Sequence, residues 1–345
     1  MPTIPITADT AGGYSATQMI WEGLMKNCKD LTVMVVGAGT MGLSMAQVMA
    51  AHGIKTYMTS RHEATLQSAR EKINTAIDGL IREGLADERY REQVDQHLFP
   101  VTNDKFPEIG KEVDVVLETV VENADSKRAI YQQLNDCCRP DCIMASNTSG
   151  MDIFTVTEGV LSHPERLIIA HWFNPPHLMK LIEVVRGEKT SDETTECIRT
   201  LLEYVGKKPA VLNRFVPGFI VNRIATVINR ELYYMIEQGW INGEDAENAI
   251  RYTDGLRYGF EGPLGIWDFV GLEIPMTVAK GVLPTLCNSA DRMPLGDKLI
   301  AEGKTGVKAG EGVLKYGPMD EYVEKRNRRI IQMTKIMDQW DREDQ

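Results

Sequence analysis

The sequence predicts an α/β protein with a doubly wound parallel sheet, followed by a second domain that is all α-helical. Short apolar runs rich in β-branched residues alternate with stretches of helical periodicity over residues 31–212, and a glycine-rich turn follows the first run. From Phe219 onward the periodicity is helical, with breaks at glycine and proline. Strand–helix alternation predicts parallel strands with helices on both faces. We therefore expect an extension at residues 1–30, a sheet domain at 31–212 and a helical domain at 213–345.

The predicted strands are short enough, and apolar enough, to be buried inside a parallel sheet. They lie at residues 31–36, 55–59, 113–119, 142–146, 166–172, 181–186 and 209–213. Helices are predicted at residues 40–52, 124–138 and 219–238, and a long one after the second strand ends near Gly84 or continues to His97. Thr190-x-x-Glu193 fits a capping box that opens a further helix ending near Gly206.

Composition excludes several functional classes. The net charge of −11 would repel nucleic acid and anionic membranes, so we expect neither as a partner. Six cysteines in 345 residues are too sparse for a disulfide scaffold and indicate reduced thiols in the cytoplasm. Cys137, Cys138 and Cys142 lie close in sequence, but without a second ligand cluster they indicate core thiols, not a metal site. Residues 1–30 lack signal-peptide features and predict an amphipathic helix near 16–25.

A glycine-rich turn joins the first predicted strand to the first predicted helix. It fits the pattern G-x-G-x-x-G as Gly37-Ala38-Gly39-Thr40-Met41-Gly42. The first glycine permits a tight turn, the second lets backbone amides approach a pyrophosphate, and the third allows close packing of helix on strand. Because the helix begins here, its amino terminus offers the positive end of the helix dipole. The turn therefore predicts a Rossmann-type dinucleotide site.

The end of the second predicted strand indicates which dinucleotide binds. An NAD site normally carries an Asp or Glu there to accept the ribose hydroxyls. This sequence has Ser60 followed by Arg61, which can donate to a 2′-phosphate, whereas an acid would repel it. We therefore predict a preference for NADP, with NAD possible. The alternative is that Arg61 is a solvated surface charge and that Glu63 serves the ribose.

Four further motifs carry a family resemblance. They are Ser146-Asn147-Thr148-Ser149, Ala170-His171-Trp172-Phe173-Asn174-Pro175, Met179-Lys180-Leu181-Ile182-Glu183-Val184-Val185 and Pro217-Gly218-Phe219-Ile220-Val221-Asn222-Arg223. In this order and spacing they resemble the 3-hydroxyacyl-CoA dehydrogenase family, over about residues 31–316. The resemblance implies hydride transfer between a nicotinamide cofactor and a 3-hydroxyl or 3-keto group, and a homodimer formed through the helical domain.

The resemblance also implies roles for individual residues. His171 and Glu183 match the family's proton-transfer pair, and an alcohol oxidation does need a base that titrates near working pH. Ser149 and Asn222 match the residues that hydrogen-bond the reacting oxygen. The remaining matches, expected on the nicotinamide side of the cofactor, are Glu122, Lys127 and Asn147.

The resemblance leaves the substrate open. A short-chain acyl-CoA thioester is favoured, although the helix that supplies basic groups for coenzyme A in the family mixes signs here, over residues 70–88. Arg257 in Gly255-Leu256-Arg257-Tyr258, and the chain beyond Tyr316, resemble relatives that oxidise free hydroxy acids, such as gulonate and carnitine dehydrogenases. There Arg257 would bind a carboxylate. A third alternative is a non-catalytic protein that binds NADP and has a structural role.

Overall fold

Eight strands form one sheet in the order β3-β2-β1-β4-β5-β6-β7-β8. The computed structural model describes residues 28–343, so the helix predicted near residues 16–25 lies outside the described residues. The strands are β1 Thr32–Val36, β2 Lys55–Ser60, β3 Leu98–Thr102, β4 Val115–Glu118, β5 Ile143–Ser146, β6 Leu167–Trp172, β7 Leu181–Arg186 and β8 Lys208–Leu212. Neighbours pair in parallel except β6 and β7, which are antiparallel. The predicted doubly wound sheet is confirmed.

Helices cover both faces of this sheet. The longer ones are α1 Thr40–Ala51, α2 Glu63–Arg82, α3 Glu88–His97, α4 Ala124–Cys137 and α5 Asp192–Tyr204, with single turns at Phe106–Ile109 and Ile153–Val156. Alternate side chains of β1 enter two separate cores, because successive residues of a strand point to opposite faces. Val33 and Val35 pack in the cluster that includes α1, α2 and α5, whereas Met34 and Val36 pack in the cluster that includes α4.

The long helix predicted after β2 is two helices followed by an unpredicted strand. Gly84, with a φ of +68°, follows the end of α2, and Asp87 then caps α3 by accepting a hydrogen bond from the backbone of Tyr90 at 3.3 Å. Strand β3 contains Pro100, and a proline in a sequence argues against predicting a strand there. It is tolerated because β3 is an edge strand, where one side of the backbone needs no partner.

The helix cap predicted at Thr190 is corrected by one residue. Ser191 is the N-cap of α5, and its side chain accepts from the backbone of Thr194 at 3.1 Å. The hydroxyl of Thr190 instead donates to the carbonyl of Leu167 at 2.7 Å and accepts from the backbone of Gly187 at 2.8 Å. The Thr190 side chain, which the local pattern assigned to the helix cap, therefore bonds instead to strand β6, 23 residues away in sequence.

The second unit is helical, as predicted. Its longer helices are α6 Val221–Glu237, α7 Gly243–Arg251, α8 Pro263–Val270, α9 Glu273–Val282, α10 Pro294–Ala301 and α11 Met319–Glu343, with a single turn at Asp254–Arg257. None of the helices within residues 28–343 is both long enough and apolar enough to cross a bilayer.

The two compact units divide between Phe219 and Ile220, whereas the sequence predicted a boundary after residue 212. The difference arises because Phe219 is buried in the second core of the sheet unit. Phe215 packs beside it, with the ring centroids 6.0 Å apart. The segment after β8 therefore remains part of the sheet unit.

The turn between β1 and α1 leaves no room for a side chain at its third glycine. A Cβ atom on Gly42 would lie 1.8 Å from the carbonyl oxygen of Gly37, which itself has a φ of +110°. We predict that Gly42→Ala lowers the free energy of unfolding by about 3 kcal/mol, the upper end for an overpacked core site, because backbone must shift. Denaturant unfolding of the purified variant measures this.

The control for that measurement is Gly79→Ala in helix α2, where a Cβ atom would meet nothing within 4 Å. It should stabilise the protein by about 0.5–1 kcal/mol, as alanine does in a helix interior. Equal unfolding midpoints for the two variants would contradict the steric argument.

Candidate active site

The carboxyl ends of β1, β4 and β5 meet at one edge of the sheet. The order of the strands reverses between β1 and β4, and this is where open α/β sheets bind ligands. Three loops begin at this edge: the glycine turn after Val36, the segment 119–123 after β4 and the segment 147–152 after β5. The predicted cofactor and catalytic residues of the first unit follow these strands or lie near the same edge.

The glycine turn after β1 has the features of a phosphate cradle. Helix α1 has Gly39 as its N-cap, with no side-chain capping bond and no acidic residue in its first turn, which Thr40 and Met41 begin. Its first N–H groups are therefore available to an anion. A Cβ atom on Gly39 would meet nothing within 4 Å, so the backbone is open to a ligand here. These residues fit a dinucleotide pyrophosphate.

The end of β2 carries no carboxylate. Ser60 is its last residue, and its hydroxyl accepts from the backbone of His62 at 3.4 Å. Arg61 is exposed, and Glu63 is the first residue of α2 and also exposed. Arg61 and Glu63, the two residues considered for binding the ribose or its phosphate, therefore both lie at the end of β2.

His171 and Glu183 face each other across the antiparallel pair β6–β7. They are direct register partners, and the Nδ1 atom of His171 lies 2.8 Å from Oε2 of Glu183. His171 is 5% exposed and Glu183 is fully buried at 0%. A carboxylate only accepts hydrogen bonds, so Nδ1 carries the proton and Nε2 is the nitrogen that can take up another. This is the arrangement expected of a general base.

Two aromatic rings fix the imidazole on its other sides. The ring centroid of His171 lies 4.6 Å from that of Phe173 and 5.5 Å from that of Phe219. The contact with Phe219 gives a structural reason for part of the motif that includes Pro217 and Gly218, since the sheet unit ends there with the Phe219 ring packed against His171. Packing of this kind limits the rotation of the ring and preserves its hydrogen bond to Glu183.

A buried ionic network lies under the loops after β4 and β5. Both carboxylate oxygens of Glu118 accept from Nζ of Lys127, at 2.8 and 2.9 Å, and one also accepts from the hydroxyl of Ser146 at 2.7 Å. Lys127 and Glu118 are both fully buried. The sequence pointed to Lys127 but missed Glu118, whose only signal is an acid at the end of an apolar run.

The same network continues to the loop that carries Ser149. Lys127 lies 3.3 Å from a carboxylate oxygen of Glu122. Glu122 in turn accepts hydrogen bonds from the hydroxyl of Thr148 and from the backbone N–H of Ser149, the latter at 3.2 Å. The structure thus joins Glu122 and Lys127, which the sequence placed on the nicotinamide side, to the loop of Ser149, which it placed at the reacting oxygen. Glu122 therefore holds the Ser149 loop through hydrogen bonds to Thr148 and Ser149.

The other predicted site residues are distributed as follows. The side-chain oxygen of Asn147 accepts from the backbone of Trp172 at 2.8 Å, which ties the loop after β5 to β6. Asn222 lies in the first turn of α6, and Arg257 forms an ion pair of 2.6 Å with Asp254; both belong to the second unit.

The cysteine cluster is a set of free thiols. Sγ of Cys137 lies 4.0 Å from Sγ of Cys138, and Cys142 is buried. Within residues 28–343, no three His, Cys, Asp or Glu side chains are grouped in a way that could hold a metal ion.

Comparison with known proteins identifies the family of the chain. Residues 32–215 match the family described as 3-hydroxyacyl-CoA dehydrogenase, NAD binding domain, and residues 218–316 match its C-terminal domain. The 5-formyl-3-hydroxy-2-methylpyridine 4-carboxylate 5-dehydrogenase of Mesorhizobium japonicum is 32% identical over 311 residues, covering 89% of this chain and 98% of that protein.

Two solved structures show the same fold. A 5-formyl-3-hydroxy-2-methylpyridine 4-carboxylic acid 5-dehydrogenase, described as an NAD+ dependent dismutase, has a TM-score of 0.80 and 30% identity, covering 89% of this chain and 98% of its own. The (S)-3-hydroxybutyryl-CoA dehydrogenase from Ralstonia eutropha has a TM-score of 0.69 and 30% identity, covering 83% of this chain and 99% of its own. With both family domains matched in order and the His171–Glu183 pair in place, the chain belongs to the 3-hydroxyacyl-CoA dehydrogenase family of nicotinamide-dependent oxidoreductases.

Proposed function

We propose that the protein interconverts a 3-hydroxyl and a 3-keto group, with a short-chain acyl-CoA thioester as the first candidate substrate. The observation that carries the chemistry is the buried His171–Glu183 hydrogen bond of 2.8 Å at the edge where the dinucleotide cradle lies. A thioester substrate would place the enzyme in fatty acid metabolism. Six free thiols support the reducing cytoplasm as its compartment.

In this mechanism each residue of the pair has one task. Nε2 of His171 takes the hydroxyl proton during oxidation and returns it during reduction. Glu183 holds Nδ1–H and stabilises the imidazolium that forms, because a buried carboxylate favours the positive charge beside it. The bound nicotinamide accepts or donates the hydride.

The reacting oxygen needs donors of its own. We assign this task to Ser149 and Asn222, which match the family's hydrogen-bonding residues. The hydrogen bond from the backbone of Ser149 to Glu122 supports the assignment, since it fixes the loop that carries the hydroxyl. Held in this way, the substrate oxygen would be oriented before the proton moves, which is where such sites gain most of their rate.

For the cofactor we propose NADP in preference to NAD. The absence of an acid at the end of β2, together with the exposed Arg61 beside Ser60, supports this choice. Glu122, Lys127 and Asn147 would line the nicotinamide side. Lys127 would act there largely through Glu122, because its ammonium is buried against Glu118.

A free carboxylic acid is the second candidate substrate, and the charges of helix α2 favour it. Arg70 is paired with Asp95, and Asp78 is paired with Arg91 at 2.7 Å, so these charges are already balanced within the protein. A coenzyme A phosphate would have to compete with them. Arg257 retains guanidinium N–H groups beyond the one that binds Asp254, and these suit a carboxylate.

We also propose that the protein is a homodimer formed through its second unit. Leu264 in α8 is 83% exposed and Phe269 is 87% exposed, and apolar side chains of α9 are exposed beside them in sequence, among them Ile274 and Val278. Large apolar side chains exposed in such number are typical of a protein interface. A second copy is the occupant that the family resemblance implies.

The proposed function is tested by steady-state reduction of acetoacetyl-CoA and of free acetoacetate, with NADPH and NADH in parallel. Turnover of the thioester supports the first candidate, and turnover of the free acid alone selects the second. If dinucleotide binds but neither substrate turns over, the chain would act as a binding protein or on another carbonyl compound.

In the active assay, His171→Ala should lower kcat by about 10²–10⁴, the range for loss of a general base. Cofactor binding, followed by quenching of protein fluorescence, should persist. The control is His163→Ala, an exposed histidine that pairs with Glu165 at 3.1 Å. Near-normal turnover in His171→Ala would overturn the mechanism.

Arg61→Ala should lower kcat/KM for NADPH about tenfold or more, because a charged hydrogen bond to phosphate contributes about 1.5–3 kcal/mol. The kcat/KM for NADH should stay within about twofold of the wild-type value, since NADH has no 2′-phosphate for Arg61 to bind. The matched control is Arg89→Ala on helix α3, an exposed arginine paired with Asp87. Equal losses with both cofactors would refute the NADP assignment.

The dimer proposal predicts twice the chain mass in light scattering coupled to size-exclusion chromatography. Replacing Leu264 and Phe269 together by glutamate should give monomers, because two charges would be buried in an apolar interface. Val211→Glu on the edge strand β8, where the side chain is also exposed, should remain dimeric. A monomeric wild-type protein would refute the proposal.

A further inference from the structure

A buried lysine holds the loop that joins the two catalytic strands. This loop, residues 173–180, leads from β6, which carries His171, to β7, which carries Glu183. Nζ of Lys207 donates to the carbonyl oxygens of Pro176 and Met179 at 2.7 and 2.9 Å. Lys207 directly precedes β8 and is only 6% exposed.

The same ammonium also contacts the residue next to the catalytic histidine. Nζ of Lys207 lies 5.3 Å from the centroid of the Trp172 ring, within the range of a cation–π interaction. Trp172 is fully buried, and its backbone N–H is fixed by Asn147. Lys207 therefore contacts the 173–180 loop at two carbonyl oxygens and also contacts the end of β6, which precedes this loop.

Retaining a charge at this position costs stability. Burial, together with the nearby Lys180, lowers the pKa of Lys207 to about 8. Burial and the charge of Lys207 lower the pKa of His177 in the same loop to about 4. His177 is thus neutral near pH 7, and its Nδ1 lies 3.4 Å from the hydroxyl of Ser44 on α1. An apolar side chain would pack here without the cost of burying an ammonium.

We propose that Lys207 is a positioning residue, which holds the 173–180 loop so that His171 and Glu183 stay aligned. The inference rests on the proposed function, because it treats this pair as the proton-transfer group. The proposed role of Lys207 is indirect. It acts through the loop carbonyls and the Trp172 ring, which determine where β6 ends and β7 begins.

Lys207→Met tests the proposal, because methionine keeps the length of the side chain and removes all its donors. We expect kcat to fall about tenfold to hundredfold, in line with small displacements of catalytic groups, and KM for the cofactor to change less than about threefold. The acid limb of the pH profile of kcat/KM should shift as well, because this limb reports the base of the free enzyme, which is proposed to be His171 held by Glu183.

A merely structural lysine would give a different result. Lys207→Met would then unfold at lower denaturant concentration but keep its kcat and pH profile, and this outcome would overturn the proposal. Lys189→Met, an exposed lysine in the turn after β7, is the control for loss of a positive charge. If Lys207→Met does not fold, Lys207→Arg keeps charge and donors with altered geometry and should show the same shift in smaller degree.

A spectroscopic measurement separates this proposal from the proposed function. In protein with ¹⁵N-labelled histidine, the Nδ1–H proton of His171 should give a downfield resonance that is absent from His171→Gln. We expect it to be lost or broadened in Lys207→Met and kept in Lys189→Met. An inactive wild-type protein would refute the proposed function, yet this resonance would still decide whether Lys207 positions the pair. An unchanged resonance in Lys207→Met would refute the positioning role.

Discussion

The pairing of β6 with β7 is the constraint on which the active site depends. Among the paired strands of the described sheet it is the antiparallel one, and it places His171 directly opposite Glu183. A slip of one residue would turn the carboxylate to the other face of the sheet. Three sets of contacts lie around this strand pair: Lys207 on the loop carbonyls, the backbone N–H of Trp172 on Asn147, and the aromatic rings on the imidazole.

The sheet unit also contains buried charged side chains near its carboxyl edge. Glu118 is fully buried, and its carboxylate has three kinds of partner: the ammonium of Lys127, the hydroxyl of Ser146 and the backbone N–H of Val120. A buried pair contributes little net stability, but removing one partner leaves an uncompensated charge and costs about 3–5 kcal/mol. The network therefore ties the ends of β4 and β5 together at the edge where chemistry is expected.

The residues proposed for the chemistry and those proposed for the choice of substrate lie in different parts of the chain. The proposed proton-transfer pair belongs to the sheet. Relatives named for a hydroxybutyryl thioester and for a pyridine carboxylate have the same fold. The groups that we propose to distinguish such substrates lie on helix α2 and in the second unit. Members of one fold can act on different substrates, so the fold alone does not identify the substrate.

The sequence by itself determined the alternation of strands and helices and the phosphate cradle, and it singled out His171 and Glu183, which the structure brings within 2.8 Å of each other. These are encoded locally, in periodicity, in the spacing of glycines and in contiguous motifs. The sequence did not predict β3, because Pro100 is unusual in a strand. It also predicted the wrong helix cap at Thr190, whose hydroxyl bonds to a distant strand. Only the tertiary structure decided that Glu118 and Lys207 are buried, because the burial of a charge depends on partners far away in the chain.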